Sequence, residues 1–237
     1  MSIAENLARL HEQITEACRR ANRSEAEVAL MAVSKVHPVE AIVEAYAAGH
    51  RLFGENRVQE FQEKSQHLTA QHPEILTGAN FHLIGPLQSN KTARAAELFH
   101  SIDAVDSLKI AERLNTTAAT LGKKLQIFVE VKLSHEESKH GVAPADLPAL
   151  LTAIAKLPSI ETVGLMTVPP WSIDPEPARP YFRELRRLRD EAQKTHPALT
   201  QLSMGMSNDF PVAIAEGSTC IRVGTAIFGK RQPPATA

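Results

Sequence analysis

Residues 30–50, LMAVSKVHPVEAIVEAYAAGH, change character partway along. Leu30, Met31, Ala32 and Val33 form a short apolar run such as a strand buried on both faces shows, and from Pro38 onward the apolar residues recur at helical spacing. Ser34, Lys35, Val36 and His37 lie between. A strand, a turn and a helix make half of a βαβ unit, which commits the chain to parallel pairing if the pattern repeats. The stretch also places a lysine where a core strand should continue.

The pattern does repeat. The runs VALMAVSK, HRLFGEN, NFHLIGP, SIDAVD, LQIFVEVKL, IETVGLMTV, LTQLSMGM and TCIRVGTAIFG make eight candidate strands. Helical segments begin near Pro38, Arg57, Ser89, Ser107, Ala145, Pro175 and Ser207, several with Ser, Asp or Pro at N-terminal positions. Eight such units close a (β/α)8 barrel. The predicted fold class is therefore α/β, a single (β/α)8 TIM barrel over residues 1–237. An open doubly wound sheet is the competitor. Against it, no GxGxxG follows the first strand, and the chain ends soon after the eighth. An extra N-terminal helix with Leu7, Leu10, Ile14 and Ala17 at helical spacing can cover the gap left by a missing eighth helix. The tail, from about 232 to 237, reads as disordered.

Composition narrows the function. Lys plus Arg number 26 and Asp plus Glu 27, a net charge of −1, so no basic surplus invites a nucleic acid or an anionic membrane. The N-terminus lacks the apolar region of a signal peptide, and no transmembrane-length apolar run occurs, so a cytoplasmic protein is expected. Cys18 and Cys220 are the two cysteines, read as buried thiols rather than a disulfide framework. Nothing in the sequence marks an interface, and a monomer is expected.

In a barrel, the C-terminal strand ends line the active-site mouth. Lys35 ends strand one, Asn56 strand two and His82 lies in strand three, while Lys132 and Ser134 follow strand five. Strand seven brings Ser203 and the turn SMGMSND, and strand eight brings Arg222, Gly224 and Thr225. A glycine-opened turn ahead of a helix capped by Ser207, Asn208 or Asp209 gathers backbone N–H groups, as does RVGT. The loops after strands seven and eight are the usual phosphate cradle of this architecture, although either could be a short turn that merely needs glycine. A partly desolvated Lys35 would fall below the ordinary lysine value of ~10.4 and could condense with an aldehyde; the alternative is a lysine that snorkels out of the rim. Arg222, between Ile221 and Val223, needs a specific acceptor, either a structural glutamate or a heterocyclic nitrogen.

A phosphate cradle, a condensing lysine and a buried arginine converge on pyridoxal 5'-phosphate (PLP). The blocks AVSKVHP, LFGENRVQE, FHLIGPLQSNKT, GLMTVPP, LSMGMSND and IRVGTAIFGKR, in this order from about Leu30 to Arg231, resemble the pyridoxal phosphate homeostasis protein family, whose fold is similar to the N-terminal barrel of alanine racemase. The resemblance implies that Lys35 carries PLP as an internal aldimine and that Arg222 faces the pyridine nitrogen. It implies that Ser203, Gly224 and Thr225 hold the phosphate with help from Ser207, and that Asn56 sits beside the ring. It also implies a role in intracellular vitamin B6 homeostasis, in which the protein buffers PLP or delivers it to apo PLP-dependent enzymes.

The rival within the same chemistry is an amino-acid racemase. An arginine against the ring nitrogen discourages its protonation, which suits racemisation or simple holding of the cofactor. Racemisation needs a second base, which in racemases resembles a tyrosine from a second, β-rich domain. Here Tyr46 and Tyr181, the two tyrosines, fall in helical stretches of the outer ring, so a non-catalytic carrier is expected. The proline-rich loop 168–180 with Trp171 is a lid or a stiff surface connection. Lys132 and Lys139 are second amine acceptors or solvated lysines. GPLQSNKT departs from the P-loop pattern at Asn90, and Pro86 removes a backbone donor, so a nucleotide hydrolase is a remote alternative. In HEESKH, His135 and His140 are five apart and diverge on a helix, so no metal site is expected.

Overall fold

Each of the eight apolar runs forms a strand, and the strands pair in parallel and in chain order as a closed barrel. The computed structural model describes residues 1–134 and 140–229. The strands are β1 (Ala29–Val33), β2 (Leu52–Glu55), β3 (Asn80–Leu83), β4 (Ser101–Val105), β5 (Leu125–Glu130), β6 (Ile160–Met166), β7 (Gln201–Ser203) and β8 (Cys220–Val223). Closure is made by β1 on β8, with Met31 opposite Arg222 and Ala32 opposite Val223.

Among the described residues ten α-helices surround the strands. They are α1 (Ile3–Arg20), α2 (Val39–Ala47), α3 (Val58–Gln71), α4 (Pro73–Gly78), α5 (Thr92–Leu98), α6 (Leu108–Thr120), α7 (Leu147–Ile154), α8 (Arg179–Gln193), α9 (Phe210–Ala215) and α10 (Thr225–Phe228). The helical segment expected from Arg57 is two helices, because Pro73 has no N–H to continue the ladder and instead opens α4. The expected gap after β8 is also partly filled: TAIFG, read as strand, supplies the single turn α10. Helix α1 packs across it and against α2 and α9, and the Asn6 amide donates to the Ile227 carbonyl at 2.9 Å. Ser2 and Glu5 form a capping box at the start of α1, and the helix buries Leu7, Leu10, Ile14, Ala17 and Cys18.

Alternation along the strands sorts side chains into two layers. Leu30, Ala32, Ile221 and Val223 face the helices and join one continuous core with Phe53, Phe61, Phe81 and Phe99. In that core Phe61 lies 4.6 Å from Phe81 and 4.8 Å from Phe99, centroid to centroid. A smaller apolar cluster, Ala104, Phe128, Val163 and Met166, comes from β4, β5 and β6 alone and fills one side of the barrel interior. The rest of the interior mixes buried apolar residues such as Met31 with polar ones such as Ser203 and Arg222, and there the candidate site lies. Among the described residues no helix is long and apolar enough to cross a membrane. The expected disorder at 232–237 falls outside the described residues.

Candidate functional site

Strand β1 stops at Val33, two residues before the lysine that the sequence places at its end. Lys35 sits instead in a tight turn closed by the His37 N–H donating to the Ser34 carbonyl at 3.1 Å. Val36 in that turn has φ 58°, a left-handed conformation that is uncommon for any β-branched residue. Lys35 is half-buried, and its Nζ lies 3.5 Å from Oδ1 of Asn56, which follows β2. Lys35 and Asn56 therefore meet as neighbours at the mouth. Behind Asn56, Gly85 gives the β3 loop room to close: a Cβ there would lie 2.2 Å from the Asn56 carbonyl.

Deeper in the barrel, Arg222 is 5% exposed. Its Nη1 donates to Ser203 Oγ at 2.7 Å and its Nη2 to the Thr167 carbonyl at 2.9 Å. No carboxylate lies within ion-pair distance of the guanidinium among the described residues, so the structural salt bridge to a glutamate is not made. Burial draws Arg222 below the ordinary arginine value, opposed by the fields of Cys220, Asp103, Glu130 and Asp209. The Cys220 thiol beside it is pushed up to about 12, chiefly by burial. Both cysteines are buried free thiols, as the sequence reading expected.

Ser203 is fully buried and turned onto Arg222, a role the sequence did not indicate. Ser207 is half-buried in the turn after β7. Gly205 shapes that turn with φ 97°, where a Cβ would meet the Ala213 Cβ at 2.5 Å. Asp209 occupies the N-cap position of α9 without capping it; its Oδ1 accepts from the Met206 N–H at 2.5 Å. Burial raises the Asp209 carboxyl above its ordinary value, against that bond and the Arg222 charge. After β8, Gly224 lets the chain pass close to β1, since a Cβ would lie 3.1 Å from the Val33 carbonyl. Thr225 is exposed and opens α10, whose first N–H groups have no intrahelical acceptor.

Two polar chains went unread in the sequence. Within the barrel, Ser101 Oγ donates to Asp103 Oδ1 at 2.6 Å, and Asp103 Oδ2 lies 3.1 Å from His82 Nδ1. Between barrel and helices, Lys64 of α3 binds Glu55 of β2 at 2.8 Å. A signal for the second existed, since Lys64 falls three residues after Phe61 and four before Leu68, on the buried stripe of α3. The other flagged segments lie apart. Trp171 is 73% exposed, and its loop is tied to the β7 turn by the Asn208 amide donating to the Ser172 and Ile173 carbonyls. Tyr46 lies in α2 with the Arg51 guanidinium 3.8 Å from its ring centroid, and Tyr181 lies in α8. Lys132 is half-buried, whereas Lys139 and His135 lie outside the described residues. Among the described residues no cluster suited to a metal is found.

An amine just past β1, a buried cation on β8 with no anionic partner among the described residues, and glycine-opened turns after β7 and β8 suit a ligand that carries an aldehyde, a ring acceptor and a phosphate. A barrel with these features is of the alanine racemase N-terminal class, and the family model "Alanine racemase, N-terminal domain" matches residues 6–232. A pyridoxal phosphate homeostasis protein of Aquifex aeolicus is 42% identical over 98% of this chain and 100% of its own. PipY of Synechococcus elongatus, solved with PLP bound, is 43% identical over 96% of this chain and 100% of its own, with a TM-score of 0.84. Alanine racemase of Clostridium difficile shares the fold alone, with a TM-score of 0.73 at 14% identity over 96% of this chain and 58% of its own. The chain belongs to the pyridoxal phosphate homeostasis protein family.

Proposed function

We propose that this protein binds PLP reversibly at Lys35 and serves intracellular vitamin B6 homeostasis, holding the cofactor or passing it to apo PLP-dependent enzymes without turning over amino acids. The observation that carries this reading is the half-buried Lys35 amine beside Asn56, in the same barrel as a buried Arg222 that has no carboxylate partner among the described residues. PipY, which was solved with PLP bound, supports it. When bound, the cofactor supplies an aldehyde with which a lysine amine condenses, releasing water. The chain's own groups do the rest. Arg222, oriented by Ser203 and the Thr167 carbonyl, directs an N–H at a ring nitrogen. Ser207, Gly224 and Thr225 offer hydroxyl and backbone donors to a phosphate, and Asn56 borders the ring. Charge-assisted contacts of this kind together need to supply only about 8 kcal/mol for micromolar holding.

We place the protein in the cytoplasm as a monomer, consistent with two free thiols and no disulfide. The carrier reading over a racemase rests on the tyrosines, both on outer helices. The observation that favours a racemase is His82, whose ring is oriented by the buried Asp103 and could serve as a base. Incubating the PLP-loaded protein with D- and L-alanine and following optical rotation decides between them. No interconversion above that of free PLP is expected. Interconversion that disappears in His82→Ala would make the protein a racemase.

A further inference from the structure

The turn that carries Lys35 is held from behind. The Lys64 ammonium donates to the Ser34 carbonyl at 2.9 Å and to Oε1 of both Glu55 and Glu60 at 2.8 Å. The Ser34 hydroxyl donates to the same Glu55 oxygen at 2.7 Å, and Glu60 Oε1 accepts from the Val36 N–H at 2.6 Å. Before Lys35, Ser34 is therefore bonded to side chains seated on β2 and α3, and after it Val36 is bonded to one seated on α3. Val36 meanwhile keeps a backbone angle it would ordinarily avoid.

Stability does not explain this arrangement. Glu55 is fully buried, its Oε2 has no hydrogen-bond partner among the described residues, and burial raises its carboxyl above the ordinary value against the opposing Lys64 charge. A buried ion pair with an orphaned oxygen is no better for folding than a well-packed apolar pair of similar size, and often worse. An apolar pair, however, could bond neither the Ser34 carbonyl nor, through Glu60, the Val36 N–H.

We infer that Lys64 and Glu60 are positioning residues that fix the backbone on both sides of Lys35, so that its amine is presented beside Asn56 in one orientation. The inference rests on the reading of Lys35 as the cofactor-binding amine. A preorganised amine loses less freedom when the ligand arrives, so the clamp acts on affinity and on the rate of capture.

The test uses the full chain and PLP. Glu60→Ala removes the Val36 bond from a side chain that is 23% exposed and leaves the Glu55–Lys64 contact in place. Lys64→Met removes the ammonium. Each is expected to weaken PLP binding at least tenfold by equilibrium titration and to slow the appearance of the lysine adduct's visible absorbance, while Glu60→Ala keeps its melting temperature. Adding Val36→Gly to Glu60→Ala should recover much of the affinity, because glycine adopts the left-handed angle without strain. If Lys64→Met fails to fold, the Glu60 series decides alone. Binding within twofold of wild type in Glu60→Ala, or a loss that Val36→Gly leaves unchanged, would overturn the inference. Failure of the wild-type chain itself to bind PLP would instead overturn the proposed function.

Discussion

Arg222 carries a permanent charge inside the barrel with a hydroxyl and a carbonyl for partners and, among the described residues, no carboxylate. Two effects compete on its replacement. Losing the donor leaves Ser203 Oγ and the Thr167 carbonyl short of a partner, at about 1–3 kcal/mol each. Removing a buried charge that has no anion relieves desolvation of comparable size. Arg222→Met should therefore change the unfolding free energy of the cofactor-free protein by no more than about 2 kcal/mol, yet weaken PLP binding at least tenfold. Thermal unfolding and equilibrium titration on the same sample separate the two; a large stability loss with intact binding would make Arg222 structural. The charge was legible in sequence because a guanidinium between Ile221 and Val223 is conspicuous in a buried strand. Ser203's partnership with it was not, because it depends on how β7 and β8 align: their register pairs Ser203 with Cys220, and the bond to Arg222 needs a particular rotamer as well.

Among the elements, strands were the most legible. Each is an apolar run bounded by polar or turn-forming residues, and parallel strands buried on both faces leave little else for such a run to become. Short helices were less legible: α4 has six residues and α10 four, and their definition comes from Pro73 and from packing under α1, not from periodicity. The end of β1 was placed two residues too late, at Lys35, because the turn that carries Lys35 is held by α3, through Lys64 and Glu60. Another ion-pair cluster makes a separate prediction. Glu216, at the end of α9, meets Arg179 and Arg183 of α8 at 2.8 and 3.1 Å. Burial acts to raise its carboxyl, but the arginine bonds outweigh it and hold the value below the ordinary carboxylate range. The native state then binds fewer protons than the unfolded chain between the two values, so stability falls as pH drops through that window. Glu216→Gln should cost about 1 kcal/mol at neutral pH, a figure kept small by the exposure of Arg183. The difference from wild type should vanish in acid, as urea unfolding at both conditions will show. An equal difference at both would mean that Glu216 acts through packing rather than charge.

The whole molecule gathers the candidate site residues at one end of a closed barrel. Ordering the strands one to eight brings the end of β1 beside the end of β8, so residues nearly two hundred positions apart, Lys35 and Gly224, border one opening. That closure was predicted from eight strand–helix repeats, and the family resemblance located the same residues independently. The apolar cluster that β4, β5 and β6 build inside the barrel needed the three-dimensional register. In the proposed function Lys35 is the amine that captures PLP. Loading the purified chain with PLP, reducing it with borohydride and mapping the peptides by mass spectrometry tests it directly. One pyridoxyl-phosphate group per chain, on Lys35, is predicted, with none in Lys35→Ala; labelling spread over surface lysines, or retained when Lys35 is replaced, would contradict the account.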